Sequence, residues 1–492
     1  MSTDAPRGTR AAASVPSLSR RTIAQYAIGS LGTGGFATLP GLVLTYYLTD
    51  SLGVTAILAG VIVTAAKVWD VIVDPVIGAL TDRDLARHGT RRRLMLIGSL
   101  SLPVLFALTF AAPPALGPVV GAVWVMIAFL LTATAFSLFQ VPYIALPAEL
   151  TDSYDARTTL LTWRVVVLTF AILLFGAGGP ELRSLTGDPT TGYLLMGIVA
   201  GVTIGVGMLV ATGAARHTLR TRPTMQAAAR ATATDAEILS DEIAGGAPHP
   251  IDASPSAFGT GIRSNYRAAL DALRRSQPFR ALLATFLLQA LATGLMLAGA
   301  QYLATWVLRS ESAVTLLFVA LIAPALLAAP GWAWLARRHG KERVFAWASV
   351  DFAVAALATV GAVWSPGPWI YAPVAVAGIA YAGMQSLPMA MLPDVIAHDA
   401  ERHGPGRAGA FGGVWTAGET TGFALGATAL SIVLAVTGYV SSTAAETVTQ
   451  PDAAITGIVV SFSVIPAALI VLSLVTLGRY RLRRSDIESQ AR

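Results

Sequence analysis

Three ionisable residues lie within one long apolar stretch of the sequence, where charge is costly. Lys67, Asp70 and Asp74 are spaced by three and four residues, which places them on one helix face with the carboxylates about 5–6 Å apart at Cβ. The stretch from Val54 to Leu80 is long enough to cross a bilayer. Each charge at its centre would cost about 2.5–3.5 kcal/mol to insert. Paired carboxylates in such a place predict the binding of a small cation or a proton.

Pro75 follows the second carboxylate directly and strengthens this prediction. Its ring nitrogen cannot donate to the carbonyl of Val71, which leaves another oxygen free beside the two acids. The alternative is a structural ion pair, in which Lys67 holds Asp70 and Asp74 without coupling to any cation. In the cation-binding interpretation, Lys67 offsets the acidic charge while the site is empty.

Polar residues in two later apolar stretches are candidates for contact with a substrate. Arg164 can hydrogen-bond a polar solute and Trp163 can stack on one; alternatively, Arg164 extends its head to the cytoplasmic interface. Gln140 and Tyr143 flank Pro142. Their amide and phenol groups suit either a solute rich in hydroxyls or a hydrogen bond between helices.

Two further acids lie within apolar stretches of the second half. Glu419 is isolated in its segment, and an ionisable residue inside a membrane span is a functional candidate by default. We expect Glu419 to bind substrate or carry a proton, or to pair with an arginine of the cytoplasmic half. Asp351 is expected to be an interfacial acid or a partner of Arg343.

Charged residues also cluster beside the second apolar stretch. We place Asp82, Arg83, Arg91 and Arg92 in the loop that follows it, and Arg338 in the equivalent loop of the second half. For these residues we expect a charge network that latches the inward-closed state rather than contact with a substrate.

The composition is that of a membrane protein. Of 492 residues, 54% are hydrophobic and only 13% are charged, whereas a soluble domain carries about 25% charge. The chain contains no cysteine, which excludes disulfides and thiolate metal sites. No nucleotide-binding loop and no nucleophile–base pair is visible, so we expect neither an enzyme nor coupling to ATP. The net charge of +6 gives no reason to expect a nucleic-acid partner.

Twelve apolar runs of membrane-spanning length recur along the chain and predict an all-α membrane fold. We expect cytoplasmic tails and a cytoplasmic linker to flank two bundles of six helices each. The predicted boundaries are a tail over 1–22, bundles over 23–213 and 278–478 with the linker over 214–277 between them, and a second tail over 479–492.

The two bundles repeat one another weakly. His88-Gly89 followed by Arg92 recurs as His339-Gly340 followed by Arg343, each after the second run of a bundle. Parallel halves of this size, with a solute bound between them, are typical of transporters. Loops rich in arginine alternate with loops that hold almost none, and the rich loops are expected on the cytoplasmic side. Both termini are then cytoplasmic, in a multi-pass protein of the cell membrane with no cleavable signal.

Segments from both halves resemble the glycoside–pentoside–hexuronide:cation symporters, the family within the major facilitator superfamily that includes the melibiose permease. The resemblance rests on three segments: Tyr46-Tyr47-Leu48-Thr49-Asp50, the Asp70-x-x-x-Asp74-Pro75 helix, and Met391-Leu392-Pro393-Asp394-Val395. It implies a twelve-helix major facilitator fold, with two six-helix halves related by pseudo-two-fold symmetry, and uptake driven by sodium or protons.

The resemblance also implies roles for individual residues. Asp70 and Asp74 match the family's cation-site acids, Lys67 matches its basic residue one turn earlier, and Arg164 matches a sugar-contacting arginine. The chain departs from the family where Gln140 replaces an acid that serves sugar and cation. Two further departures are Gly34, which replaces a sugar-binding aspartate, and Thr420, beside Glu419, which replaces a lysine.

The leading hypothesis is a cation-coupled symporter, using sodium or protons, for a sugar or glycoside. It would work by alternating access without a cofactor, as a monomer in contact with membrane lipid. The alternative is a proton-driven exporter of a metabolite or drug, and a third hypothesis is a transport-inactive receptor or scaffold. The direction of transport separates the first two. The insertion cost of the intramembrane acids argues against the third.

Overall fold

The computed structural model describes residues 18–151, 154–216, 273–403, 408–444 and 448–482. Most of the predicted linker over 214–277 and of the two predicted tails lies outside the described residues. The described chain is almost entirely helical, and its one isolated β-bridge joins Leu52 to Thr443.

Fourteen α-helices occur among the described residues, and we number them in chain order. The first group comprises α1 (Arg20–Ile28), α2 (Ser30–Asp50), α3 (Ala56–His88), α4 (Arg92–Thr109), α5 (Gly117–Leu150), α6 (Tyr154–Ser184) and α7 (Pro189–Ala211). The second group comprises α8 (Gln277–Tyr302), α9 (Ala313–His339), α10 (Lys341–Ala358), α11 (Tyr371–His403), α12 (Ala408–Val436), α13 (Asp452–Phe462) and α14 (Val464–Leu477).

These helices provide 12 segments that are long and apolar enough to cross a membrane, because α1 with α2, and α13 with α14, each form one segment. The predicted number of spans is therefore confirmed. Large apolar side chains such as Leu327 and Val436 are more than four-fifths exposed. In a multi-pass membrane protein these side chains face lipid, where their exposure costs little.

The boundary of α3 differs from the sequence prediction. Asp82 and Arg83 were placed in a loop, but α3 continues past them to His88. Its polar last turns stay helical because His88 Nδ1 pairs with Asp84 Oδ1 at 2.8 Å, one turn earlier. Gly89 then ends the helix with φ of +69°, a conformation that glycine adopts without strain. Gly340 ends α9 in the corresponding place, with φ of +90°.

The same pairs of helices pack together in the two groups. In the first group, α2 packs on α6, α3 on α5, and α4 on both α5 and α7. In the second group, α8 packs on α12, α9 on α11, and α10 on both α11 and α14. Small residues allow close approach: a Cβ atom added at Gly426 would meet the backbone of Gly294 and Leu295. This is how helices associate in a membrane, where burial of apolar surface gives no gain.

The two groups meet along three pairs of helices, α2 with α8, α3 with α12, and α6 with α9. We call one end of the molecule the arginine-rich end, because α3 passes into α4 there through Arg91 and α9 finishes there with Arg337 and Arg338. The other end, where α2 passes into α3 and α8 approaches α9, is the opposite end.

Candidate substrate and cation site

The two carboxylates of α3 are in different surroundings. Lys67 Nζ lies 3.1 Å from Asp70 Oδ2, so Asp70 has its own countercharge. Asp74 lies within electrostatic range of both residues and next to the Ser137 side chain. Within the described chain, Asp74 Oδ1 is buried and has no hydrogen-bond partner. The sequence predicted these two acids but not Ser137, since an isolated serine in an apolar run gives no signal.

One face of α5 leads from the carboxylates to the other predicted polar residues. Ser137, Gln140 and Tyr143 recur every three residues along it. Thr33 on α2 donates to Gln140 Oε1 at 2.8 Å. The interhelical hydrogen bond proposed as the alternative role for Gln140 is therefore present, and it uses only the amide oxygen.

Tyr143 is fully buried and supports Arg164. Its hydroxyl donates to the backbone carbonyl of Tyr26 at 2.8 Å and lies 3.1 Å from Ser30 Oγ. Its ring stacks on Tyr26 with centroids 4.7 Å apart. The guanidinium carbon of Arg164 lies 5.6 Å from the Tyr143 ring centroid. Tyr143 thus positions Arg164 by packing.

Arg164 keeps a donor unused at this position. Its Nε is buried without a hydrogen-bond partner among the described residues. Trp163 projects from a different face of α6 and is 53% exposed. The structure therefore places Arg164 against Tyr143, whereas Trp163 makes no ring contact with Tyr143 in the described chain.

Glu419 on α12 faces this cluster from the second group. Its carboxylate lies within electrostatic range of Arg164, yet the described residues show no ion pair between the two. Tyr381 on α11 is nearby and accepts a hydrogen bond from Gln385 Nε2 at 2.6 Å. Trp415, one turn before Glu419, stacks on Phe286, and its indole N–H is buried without a partner in the described part of the chain. Polar groups from both groups of helices thus meet around one point.

Asp351 is the other acid that the sequence analysis singled out in the second group of helices. Asp351 lies on α10, which packs within the second group, and it is only partly buried. Across the described residues there is no cluster of three or more His, Cys, Asp or Glu side chains that would hold a metal ion. A cation at Asp70 and Asp74 would therefore have two carboxylates, one of them already paired with Lys67.

A second polar cluster closes the opposite end, and the sequence analysis missed it. Asp50 Oδ1 accepts from Trp306 Nε1 at 3.2 Å and from the Tyr439 hydroxyl at 2.5 Å. Asp50 Oδ2 accepts from the Thr49 hydroxyl at 2.5 Å, and that hydroxyl lies 2.7 Å from the hydroxyl of Tyr302. These residues join α2 to α8, to the turn that follows α8 and to the segment after α12. We call them the closure: Thr49, Asp50, Tyr302, Trp306 and Tyr439.

A buried arginine reinforces the closure. Arg183, at the end of α6, is 4% exposed and donates to the Tyr193 hydroxyl at 2.9 Å. Its other terminal nitrogen lies 3.0 Å from Glu311 Oε2 in the second group. The Tyr46 ring lies against the same guanidinium. Backbone N–H groups complete the contact: Ser442 donates to the carbonyl of Thr49 in α2, and Ala444 donates to the carbonyl of Ser51 just after it.

Among the residues predicted to latch the arginine-rich end, Asp82, Arg91 and Arg338 interact within their own groups of helices. Arg91 bridges Asp82 at 2.8 Å and Glu149 at 2.5 Å, all in the first group. Arg338 lies over the Trp334 ring of its own helix, 4.2 Å from the centroid. Arg83 and Arg92 also have interaction partners. A latch between the two groups at this end stays a prediction.

Comparison with known proteins gives the family. The sequence profile described as "MFS/sugar transport protein" matches residues 25–237 and 251–484, which is most of the chain. The chain belongs to this family. It is a family of transport proteins rather than enzymes, and the match spans both groups of helices.

Individual relatives are similar over part of their length. A protein of Escherichia coli (strain K12) that is provisionally named a glycoside/cation symporter, YagG, is 28% identical over 205 residues, 40% of this chain and 44% of that protein. The "glucuronide carrier protein homolog" of the same strain is 28% identical over 169 residues, 34% of this chain and 37% of that protein. The aligned regions thus span less than half the length of these relatives.

Solved structures support the fold. The xylose transporter XylE from E. coli, solved in a partially occluded inward open conformation, aligns with a TM-score of 0.57 over 94% of this chain and 98% of that one. The identity is 15%. The likeness supports the twelve-helix major facilitator fold that the sequence predicted.

Proposed function

We propose that this protein is a cation-coupled secondary symporter that takes up a sugar or glycoside by alternating access, with sodium or a proton as the coupling ion. The transport family, and the symporter and carrier names of the relatives, support this proposal over export of a metabolite or drug. The site residues proposed for the solute are Arg164, Gln140, Tyr143 and Glu419.

The observation that carries the proposal is the unequal environment of the two acids on α3. Lys67 compensates Asp70, whereas Asp74 has a buried oxygen, Oδ1, for which the described part of the chain provides no donor. A buried ionised carboxylate without a partner is strongly unfavourable. A monovalent cation or a proton on Asp74 would remove that cost, and the adjacent Ser137 hydroxyl offers a further oxygen.

The coupling follows from the shared face of α5. Ser137 lies beside Asp74, while Tyr143 supports Arg164 two turns later on the same helix. A cation that draws Ser137 towards Asp74 therefore acts on the helix that positions the solute-binding arginine. At equilibrium this coupling is reciprocal, so a bound solute tightens cation binding by the same factor.

The described cross-group hydrogen bonds suggest which conformation is represented. Those of the closure, together with the bond between Thr64 and Thr428, lie towards the opposite end. If the arginine-rich end is cytoplasmic, as the distribution of arginine indicates, this conformation is closed to the outside. Both termini then lie in the cytoplasm. We expect the protein to act as a monomer in the cell membrane.

The test is uptake into vesicles with sodium and proton gradients imposed separately, using a panel of radiolabelled glycosides. We expect accumulation under one gradient, and loss of at least about 100-fold of it in Asp74→Asn and Asp70→Asn, because a concentrative step needs the cation. Facilitated exchange of solute at equal concentrations should survive in Asp74→Asn.

The matched control is Asp351→Asn, which removes a membrane-embedded acid outside the cluster. It should accumulate solute normally. Undiminished accumulation by Asp74→Asn at normal expression contradicts the coupling proposal, and accumulation of no glycoside under either gradient contradicts the solute class.

A further inference from the structure

The ionisable side chains around the centre nearly cancel. With all five side chains ionised, Lys67 and Arg164 contribute two positive charges and Asp70, Asp74 and Glu419 contribute three negative ones, a sum of one net negative charge. One monovalent cation at Asp74 brings the total to zero. A solute that enters after the cation therefore meets a site without net charge.

Where the solute is proposed to bind, Glu419 supplies the negative charge that offsets the positive charge of Arg164. It comes from α12, faces Arg164 across the boundary between the two groups of helices, and makes no ion pair with it in the described chain. Between these two charged groups, no direct contact neutralises either one in the described chain. An anion placed there would gain from Arg164 but would be repelled by Glu419 in a poorly hydrated environment, where unpaired charge is costly.

The unused polar atoms around these two groups suit hydroxyl groups. Arg164 Nε and the Trp415 indole N–H are buried donors without partners among the described residues. Glu419 adds acceptors opposite them. A sugar hydroxyl both donates and accepts, so a polyol can satisfy both kinds of group at once. A sulfonate or carboxylate only accepts.

We infer that the solute is an uncharged glycoside and that Glu419 excludes its anionic analogues. The inference rests on the proposed function and narrows it. The glucuronide carrier protein homolog, by its name, concerns a solute with a carboxylate, and Arg164 alone would favour such a solute. Glu419 balances Arg164 and selects against it.

The test uses three solutes that differ only at carbon 6 of one sugar ring: a methyl glycoside with its hydroxyl, the corresponding uronide with a carboxylate, and the corresponding 6-sulfonate. The series is made in the gluco and galacto configurations. Binding to the purified protein and cation-driven uptake into proteoliposomes are both measured. The wild type should prefer the uncharged member at least about tenfold.

Glu419→Gln keeps the size of the side chain, removes its charge and replaces one acceptor oxygen with an NH2 donor. With a cation bound, the centre then carries one net positive charge, and the preference for the uncharged member should fall at least about tenfold or reverse. Glu419→Asp keeps the charge and should retain the wild-type preference. If Glu419→Gln no longer transports, the ratio of binding constants to the folded protein gives the same information.

The outcomes separate the two proposals. Accumulation of the anionic members by the wild type as readily as the uncharged one overturns this inference and leaves the symporter standing. An unchanged preference in Glu419→Gln also overturns it. Accumulation of none of the series, together with none of a wider glycoside panel, refutes the proposed function itself.

Discussion

Asp50 and Asp74 are both partly buried acids on the first group of helices, but their oxygens are used differently. Both oxygens of Asp50 accept hydrogen bonds, and two of its three donors come from the second group. Asp74 leaves one buried oxygen without a partner among the residues that the structure describes. A carboxylate whose oxygens all accept hydrogen bonds stabilises the conformation that provides the donors. A buried charge without such donors favours the binding of any ligand that can neutralise it.

The donors of the closure keep their protons. Burial, and then the negative charge of Asp50, raise the pKa of Tyr439, which lies beyond the membrane-spanning part of α12. The hydroxyl therefore remains a donor across the physiological range of pH. The closure is expected to open through competition for its partners rather than through loss of the Tyr439 proton.

The largest effect is expected when the Asp50 carboxylate is removed. Asp50→Ala deletes the acceptor of two cross-group bonds, each worth about 1.5–3 kcal/mol when the acceptor is charged. Because the chain has no native cysteine, Ala37→Cys can serve as a single reporter; Ala37 is an exposed position on α2, between Thr33 and Gly41 on the same face. Modification by an impermeant thiol reagent from the opposite end should accelerate at least about tenfold.

The control for that measurement is Asp452→Ala, which removes an exposed acid from the first turn of α13. It should leave the reporter's rate unchanged. Equal rates in Asp50→Ala and the parent would show that the closure does not hold this end shut.

A weaker effect is expected at the edge of the same region. Glu311 pairs with Arg183, but its side chain is 55% exposed, and solvent-exposed pairs contribute only about 0.2–1 kcal/mol. Glu311→Gln should therefore raise the reporter's modification rate only about two- to fivefold, since Arg183 keeps its bond to Tyr193. High salt should reproduce part of this change in the parent. A rise as large as that of Asp50→Ala would mean that the ion pair, and not the buried carboxylate, dominates.

The smallest effect is expected at Asp188, an exposed acid outside the membrane spans. It caps α7 by accepting from the Thr191 hydroxyl at 2.6 Å and the Thr191 backbone N–H at 2.9 Å, and these bonds lower its pKa. Asp188→Ala should lower the unfolding temperature at neutral pH by about 1–2 °C. A depressed pKa stabilises the fold above the ordinary value of about 3.9, so the difference should vanish as pH falls through the lowered pKa.

Asp188→Ser keeps a capping hydroxyl and serves as the matched variant for that experiment. It should retain most of the wild-type unfolding temperature and lose the dependence on pH. A difference between wild type and Asp188→Ala that persists at low pH would contradict the capping role.

The twelve spans were predictable because a helix needs about 20 apolar residues to cross a bilayer and must pair all of its backbone N–H and C=O groups within itself. The same rule drew attention to Lys67, Asp70 and Asp74, whose charges interrupt such a run. It failed at Asp82 and Arg83, since the polar continuation of a helix beyond the apolar core has no hydropathy signal. The roles of Gln140, Arg164 and Glu419 remain predictions, although the structure brings them together.

The closure could not be predicted from a single sequence. Asp50 lies at the end of an apolar run, where an acid needs no special explanation. Its partners Trp306 and Tyr439 follow 256 and 389 residues later. Nothing in local spacing links positions so far apart, because their contact depends on how the two groups of helices pack.

The last turn of the segment that begins with α8 is wider than an α-helical turn. Residues Leu303–Val307 form a π-helical turn, and Trp306 lies within it. Such a turn accommodates one more residue than an α-helix, and each residue of an α-helix turns the chain by about 100°. The widened turn therefore determines the direction, around the helix axis, in which the Trp306 indole points to reach Asp50. Relaxation to an α-helical turn would swing that ring around the helix axis with little change in the position of the helix itself.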